Sequence, residues 1–332
     1  MIFAIIILIG SIFLLNYSSE KVLKNLVIIA QYLNWREFVT SFLLIALASS
    51  LPNLWTGIIS ALKGIPLLSF GDIAGNNVIV LSVGIGLATL FSSKGVPTKS
   101  RTINFTSLFT LITSLILILL MLDKKLTRFD GLILIGCFLF YLIWLFSDKE
   151  RFTLLNQEIN NQNNLKTGEL IEKEINKFIG FLKRLFVIFF FFFFLLLSAY
   201  GIVFFAQKIS YYLSFSLMFL GILITGIGNA LPEISVAITS ARKNQEWVIL
   251  GDLLGSVFML SVLVLSIVIL INPIFFDFTN FSFALLSRGF ISLLSLVFYL
   301  FSLTDGILTK KEGLILICFY FVFLYFILAN IL

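Results

Sequence analysis

Ten apolar stretches, most of them about long enough to cross a bilayer, follow one another along this 332-residue chain. They run over about 2–16, 38–62, 68–92, 103–122, 129–147, 185–206, 211–241, 247–271, 283–303 and 313–331. A helical span needs roughly 20 apolar residues, fewer where it is broken or shielded. Lipid offers a backbone no hydrogen-bond partner, so apolar runs of this length read as helices. Composition agrees: 60% hydrophobic, 12% charged and 39 Phe is far outside the range of a soluble domain. The expected fold class is therefore an all-α polytopic membrane protein with ten transmembrane helices. The first stretch has neither a basic start nor a small-residue cleavage site, and reads as a retained helix, not a signal peptide.

Composition also removes several function classes. The chain has no His, the usual proton shuttle and zinc ligand. Its two Cys, Cys137 and Cys318, lie in apolar runs and suggest neither a disulfide framework nor a thiolate metal site. The net charge of +6 reads as basic loops, not as a nucleic-acid partner. With the N-terminus outside, the inner loops hold 17 Lys and Arg, and the outer loops hold Lys63, Lys124, Lys125, Arg128 and Lys208. Arg288 is left out of that division, as lying near the end of a span. The positive-inside rule then makes the polar segment 148–184 cytoplasmic. Its second half, "ELIEKEINKFIGFLKRL", has the spacing of an interfacial amphipathic helix. The Phe run 189–194 is lipid-facing filler.

The two halves, 1–147 and 185–332, resemble each other at a nearly constant offset. "SLPN" at Ser50–Asn53 matches "ALPE" at Ala230–Glu233. "FGDIAGN" at Phe70–Asn76 matches "LGDLLGS" at Leu250–Ser256 at the same offset. "DGLILIGC" at Asp130–Cys137 matches "EGLILICF" at Glu312–Phe319 at very nearly that offset again. Five spans per half is an odd number, so the second half enters the membrane upside down. Inverted repeats are the mark of secondary transporters, whose sites lie near the midplane between the halves. The two Leu-Pro pairs are read as helix breaks, exposing backbone carbonyls to a cavity. A lone membrane Pro is ordinarily a simple kink; two at symmetric positions, one followed by Glu, argue for a site.

On these motifs the chain resembles the cation/Ca2+ exchanger superfamily, most closely its Na+/Ca2+ exchanger branch. The likeness spans "ALASSLPNLWTGIISALKG…FGDIAGNNVIVLS" and "GIGNALPEISVAITSARKN…LGDLLGSVFMLS". It implies a cation site built from a Glu in each repeat, the hydroxyls one turn before it, a Ser on each following helix and a polar residue one turn further on. Carried over by position, Glu233 stands at the second Glu and Asn53 at the first. Ser49 and Ser50 keep the hydroxyls of the first repeat, while Asn229 and Ala230 replace those of the second. Ser256 keeps its place, Asn76 is its counterpart, and Val80 and Leu260 stand where the family has polar ligands. The family's acidic cluster thus reduces to one carboxylate.

Spacing nevertheless favours a shared site. Thr225, Asn229 and Glu233 run at i, i+4, i+8 on one helix face, as do Ser49 and Asn53. Asp72–Asn76–Val80 and Asp252–Ser256–Leu260 form two matching ladders, each with an acid nearer the water. Each Asp is either the cap of a helix N-terminus or one of a symmetric pair of acids guarding two half-channels. The Gly-Asp pairs do not make an aspartyl protease, because Ser69 and Ile249 spoil the Gly-x-Gly-Asp pattern and the two acids fall on opposite sides.

These readings predict a non-enzymatic, secondary-active antiporter moving Ca2+, or a related inorganic cation, against Na+ or H+ by alternating access. The alternative is a non-transporting or regulatory exchanger-like membrane protein. The expected partners are inorganic cations and the bilayer, with no cofactor beyond the transported cations. One ionised Glu233 would leave Ca2+ with an uncompensated positive charge. That predicts weak Ca2+ binding and a proton as a natural competitor, unless Asp72 or Asp252 joins the site.

Overall fold

The computed structural model describes residues 2–32, 50–98, 101–147, 172–242, 246–304 and 306–330. It is almost entirely helical. In chain order the elements are α1 (Ile2–Tyr32), α2 (Leu51–Leu62), α3 (Pro66–Ile79) and α4 (Ile85–Phe91), then α5 (Arg101–Leu120) and α6 (Arg128–Ser147). The second half has α7 (Glu172–Leu213), α8 (Leu217–Leu220), α9 (Gly226–Arg242), α10 (Glu246–Met259), α11 (Leu265–Ile271), α12 (Phe278–Leu303) and α13 (Lys310–Ala329). Among the described residues, 9 helical stretches are long and apolar enough to cross a membrane. Of the remaining expected span, 38–62, only the part from Ser50 onward is described.

Burial sorts these helices into centre and rim. The stretches Pro66–Phe91 and Ile249–Ile271 are 83% and 78% buried, while Arg128–Leu145 and Lys310–Ala329 are 28% buried. The two repeat motifs therefore sit on the central helices, and the rim helices present their Leu and Phe outward. Both central stretches change pitch at equivalent points. Short π-helical turns occupy Val80–Gly84 and Leu260–Val264, which correspond under the repeat, and a third occupies Gly221–Thr225. Such turns interrupt the regular ladder and are frequent at functional sites.

Four two-residue strands tie the ends of the bundle: β1 (Val96–Pro97), β2 (Lys125–Leu126), β3 (Ile274–Phe275) and β4 (Ile307–Leu308). β1 pairs antiparallel with β4, and β2 with β3. By the sequence offset β1 corresponds to β3 and β2 to β4. Each ladder thus joins non-equivalent loops of the two halves, the crossed pairing that a two-fold axis in the membrane plane requires. α5, about 30 Å long, separates β1 from β2, so the ladders lie at opposite ends.

Three expectations are corrected. "ELIEKEINKFIGFLKRL" does not form a separate interfacial helix: from Glu172 onward it is the start of α7, a continuous 42-residue helix. At 1.5 Å per residue that is about 60 Å, twice a hydrocarbon core, so one end of α7 projects beyond it. α7 packs along α1, and Arg184 Nη1 donates to Asn25 Oδ1 at 3.5 Å past the end of the first span. The helix is not broken at Pro232, because α9 runs through it from Gly226 to Arg242. Pro52 instead lies in the first turn of α2, a position that needs no N–H. Finally, Arg288 is the eleventh residue of the 26-residue α12 and lies deep in its span.

Candidate cation site

The site is set by a backbone-to-backbone crossing. A Cβ added at Gly71 would overlap the Met218 carbonyl, and one at Gly75 the Ile222 carbonyl. From the other side of the crossing, a Cβ at Gly221 would overlap the Leu68 carbonyl, and one at Gly226 would lie 2.8 Å from the Asn76 nitrogen. Only hydrogen fits at these four points, as in other close helix crossings in membranes. The crossing lays Asp72 and Asn76 of α3 against the turn ending at Thr225 and against Asn229 of α9.

Asp72 is the centre of one cluster. It is fully buried, with Asn53 of α2 on one side and Asn229 of α9 on the other. Asn53 Nδ2 donates to Asp72 Oδ2 at 3.1 Å, and Asn229 Nδ2 donates to Oδ1 at 3.0 Å and Oδ2 at 3.3 Å. Asn53 and Asn229 come from different halves, so one carboxylate joins the two repeats. This removes one of the two readings of Asp72. It is not a helix cap, since α3 begins six residues earlier with Ile65 at its N-cap. It stands instead against Asn53 and Asn229, two of the residues expected at the site.

Glu233 is the centre of the second cluster. Ser256 Oγ donates to Glu233 Oε2 at 2.8 Å and also lies 3.1 Å from the Leu253 carbonyl of its own helix. Asn76 lies beside Glu233 without a well-formed hydrogen bond, and Asp252 lies within electrostatic reach of it. Asp252 is half-buried at the seventh position of α10, as Asp72 is the seventh of α3. Thr225 Oγ1 is turned back to the Gly221 carbonyl at 3.0 Å. Ser50 is buried at the mouth of α2, where its carbonyl receives the Leu54 N–H at 2.9 Å. Ser49 lies outside the described residues. Val80 and Leu260 are each the first residue of a π-helical turn.

Five buried oxygens in these clusters have no hydrogen-bond donor: Asn53 Oδ1, Asn76 Oδ1, Asn229 Oδ1, Glu233 Oε1 and Asp252 Oδ1. Buried polar atoms are ordinarily paired, and oxygens of this kind are the ligands hard cations take. Among the described residues no three Asp, Glu, His or Cys side chains converge. A cation here would therefore rest on amide and hydroxyl oxygens with no more than two carboxylates.

Some of the machinery lies in residues the motifs did not single out. Pro232 has no N–H, which frees the carbonyl of Gly228 four residues earlier. That carbonyl does not line a cavity: Asn16 Nδ2 of α1 donates to it at 3.1 Å. Asn77 Nδ2 donates to Ser261 Oγ at 2.7 Å, joining α3 to the π-helical turn of the other half. Asn16 was visible in the sequence as an isolated amide in an apolar run, while Asn77 was hidden beside Asn76.

The sequence profile of the sodium/calcium exchanger protein family matches residues 3–147 and 183–329. The chain is 24% identical over 244 residues to an uncharacterized membrane protein of Methanocaldococcus jannaschii, covering 73% of this chain and 74% of that one. It is 24% identical over 273 residues to the inner membrane protein YrbG of Escherichia coli, covering 82% and 81%. Its fold is similar to that of the sodium-calcium exchanger NCX_Mj in crystals soaked with Na+ and Sr2+, with a TM-score of 0.60 over 97% of both chains at 20% identity.

Proposed function

The chain belongs to the sodium/calcium exchanger protein family, and on that premise we propose that it is an antiporter exchanging Ca2+ for Na+ or H+ across a cell membrane. The observation that carries the reading is Asp72. This single buried carboxylate takes amide donors from both halves, beside five buried oxygens that lack donors. A divalent cation suits such a set, because carboxylate and amide oxygens replace its water.

Each residue has a part in this reading. Glu233 and Asp252 supply charge at one end of the site, and Asp72 supplies it at the other. Asn53 and Asn229 hold Asp72 by their N–H groups and turn their oxygens to the cargo. Asn76 and Ser256, at equivalent positions of the two central helices, complete the ring, with Ser50 at the mouth of α2. Charge from Asp72 and Asp252 beside Glu233 relieves the weak Ca2+ binding that a single carboxylate would impose, although no more than two of the three can ligate one cation. The two halves enclose the site from opposite ends, which is the arrangement alternating access needs. In the membrane the N-terminus is outside, 148–184 is cytoplasmic, and the β1–β4 ladder faces the cytoplasm.

The test is cation flux in liposomes containing the purified protein, with Ca2+, Na+ and pH varied separately. Ca2+ uptake driven by an outward Na+ or H+ gradient is the expected result. Absence of flux for every inorganic cation would leave the non-transporting alternative standing.

A further inference from the structure

Arg288 lies fully buried in mid-span, and the site described above does not use it. An intramembrane guanidinium is costly and ordinarily pairs with an acid. Here no carboxylate lies within ion-pair distance among the described residues. Arg288 Nη1 donates to Ser261 Oγ at 3.3 Å, the plane lies 4.8 Å from the centre of the Phe70 ring, and Nε and Nη2 have no acceptor. Arginine does not surrender its proton to escape this.

The anchors of Arg288 tie it to the site. Ser261 also receives Asn77 Nδ2 at 2.7 Å, and Asn77 adjoins Asn76. Phe70 and Asn77, seven residues apart, share one face of α3, while Asp72 and Asn76 occupy another. The guanidinium is thus lodged behind the helix that carries half the site. A helix is about 10 Å across, and charges at that separation inside a protein are little screened.

Among the described residues the buried charged side chains are Asp72, Glu233 and Arg288, and the half-buried Asp252 lies within electrostatic reach of Glu233. Three negative charges and one positive leave two negative. We propose that Arg288 is a fixed counter-charge that sets the cargo of the site at two positive charges, met by one divalent cation or by two monovalent ones, protons included. The proposal rests on the antiporter reading and adds what that reading leaves open, the number of monovalent ions exchanged per Ca2+. Without Arg288 the same carboxylates would take a third monovalent ion.

The experiment is Ca2+ binding to purified protein, and its displacement by Na+ at several fixed pH values. If wild type binds and moves no divalent cation, the antiporter reading fails. If it does, the expected wild-type result is displacement by two monovalent charges per Ca2+. Arg288→Gln is expected to bind Ca2+ about tenfold tighter, because a nearby positive charge is gone, and to need three. Arg288→Lys keeps the wild-type pattern, and Arg288→Gln with Asp252→Asn restores the count of two. A merely structural Arg288 would give the opposite sign, weaker Ca2+ binding in the Gln variant. Weaker or unchanged binding with an unchanged count overturns the proposal. Asp252→Asn alone keeps the test open if the Arg288 variants do not fold: its count is expected to fall to one, and a count of two refutes the ledger.

Discussion

Asn16 Nδ2 donates to the Gly228 carbonyl at 3.1 Å, across 212 residues of sequence. The bond exists because Pro232 denies that carbonyl its ordinary helical donor. It fixes α1 to α9 one residue before Asn229, which holds Asp72. Ile12 of α1 closes on Gly228 as well, where an added Cβ would lie 2.6 Å from its Cγ2. Replacing Asn16 by Leu leaves the carbonyl buried without a donor. The expected loss is about 1 kcal/mol of stability, the usual range for a hydrogen bond between membrane helices. In Pro232→Ala the backbone N–H of residue 232 can serve the same carbonyl, so Asn16→Leu should then cost little. Apparent melting midpoints of the two single variants and the double variant measure this coupling. Additive shifts would mean that the amide does not serve the proline gap.

Glu233 and Asp72 make different predictions. Glu233→Gln keeps the shape and the Ser256 contact but removes charge, so coupled transport should be lost from a folded protein. Asp72→Asn should also fold, because Asn53 or Asn229 can turn its unpaired oxygen toward the new amide. Ca2+ binding should then weaken by tenfold or more. Asp72→Leu leaves two buried amides without an acceptor, at about 1–3 kcal/mol each, and should melt markedly earlier than Asp72→Asn. Melting in detergent with 45Ca2+ binding separates the cases. Equal melting of the Asn and Leu variants would show that Asp72 does not organise the two amides.

What could be read beforehand follows from the range of each signal. The ladders at i, i+4 and the constant offset between the halves are properties of nearby or directly comparable residues, so the helices were legible, and Asn53, Asn76, Asn229, Glu233 and Ser256 could be named as candidates. The position of Asp72 was not, because its partner Asn229 is 157 residues away. A capping aspartate and a buried aspartate look alike until that partner is placed. The proline misled for the same reason. Pro232 predicts a freed carbonyl, but only the packing of α1 shows that Asn16 takes it. The depth of Arg288 was lost through a boundary error: a span begun at 283 puts it near an end, while α12 begins at Phe278 behind Asp277, whose side chain accepts the Asn280 N–H.

The crossing of α3 with the chain after Met218 leaves no room for a methyl group. Gly75→Ala would drive a Cβ into the Ile222 carbonyl, which is backbone and cannot rotate away. The expected cost is about 3 kcal/mol or a failure to accumulate folded protein. Gly136→Ala in α6, where nothing lies within 4 Å of the added carbon, is the matched control and should be neutral or slightly stabilising. Yield and melting of the two variants decide it, and a tolerated Gly75→Ala would mean that the helices do not approach this closely.

The orientation rests on the 17 basic residues assigned to one side. A single Cys introduced at Asn161 should resist an impermeant thiol reagent on intact cells and react after lysis, with Cys137 and Cys318 replaced by Ala. Labelling on intact cells would invert the topology, and with it the assignment of the two β ladders to their sides of the membrane.

Asn53→Glu, paired with Leu260→Asp, returns acids to two positions where the resemblance expects polar ligands. The hydrogen bond from Asn53 to Asp72 changes what this should do. Asn53→Glu alone removes a donor from Asp72 and sets a second carboxylate against the first, near the present 3.1 Å. Two carboxylates that close do not both stay ionised without a cation or a proton between them. The variant should therefore melt earlier than wild type in chelator and recover with Ca2+. If binding tightens tenfold, saturating Ca2+ should add about 1.4 kcal/mol more stabilisation than it gives wild type. Adding Leu260→Asp places a further acid at the start of a π-helical turn, and the Ca2+-dependent shift should grow again. Differential scanning fluorimetry with Ca2+, Mg2+ and chelator reads this directly. A chelator-treated Asn53→Glu protein as stable as wild type would show that residues 53 and 72 do not share the cation, and would remove Asn53 from the site.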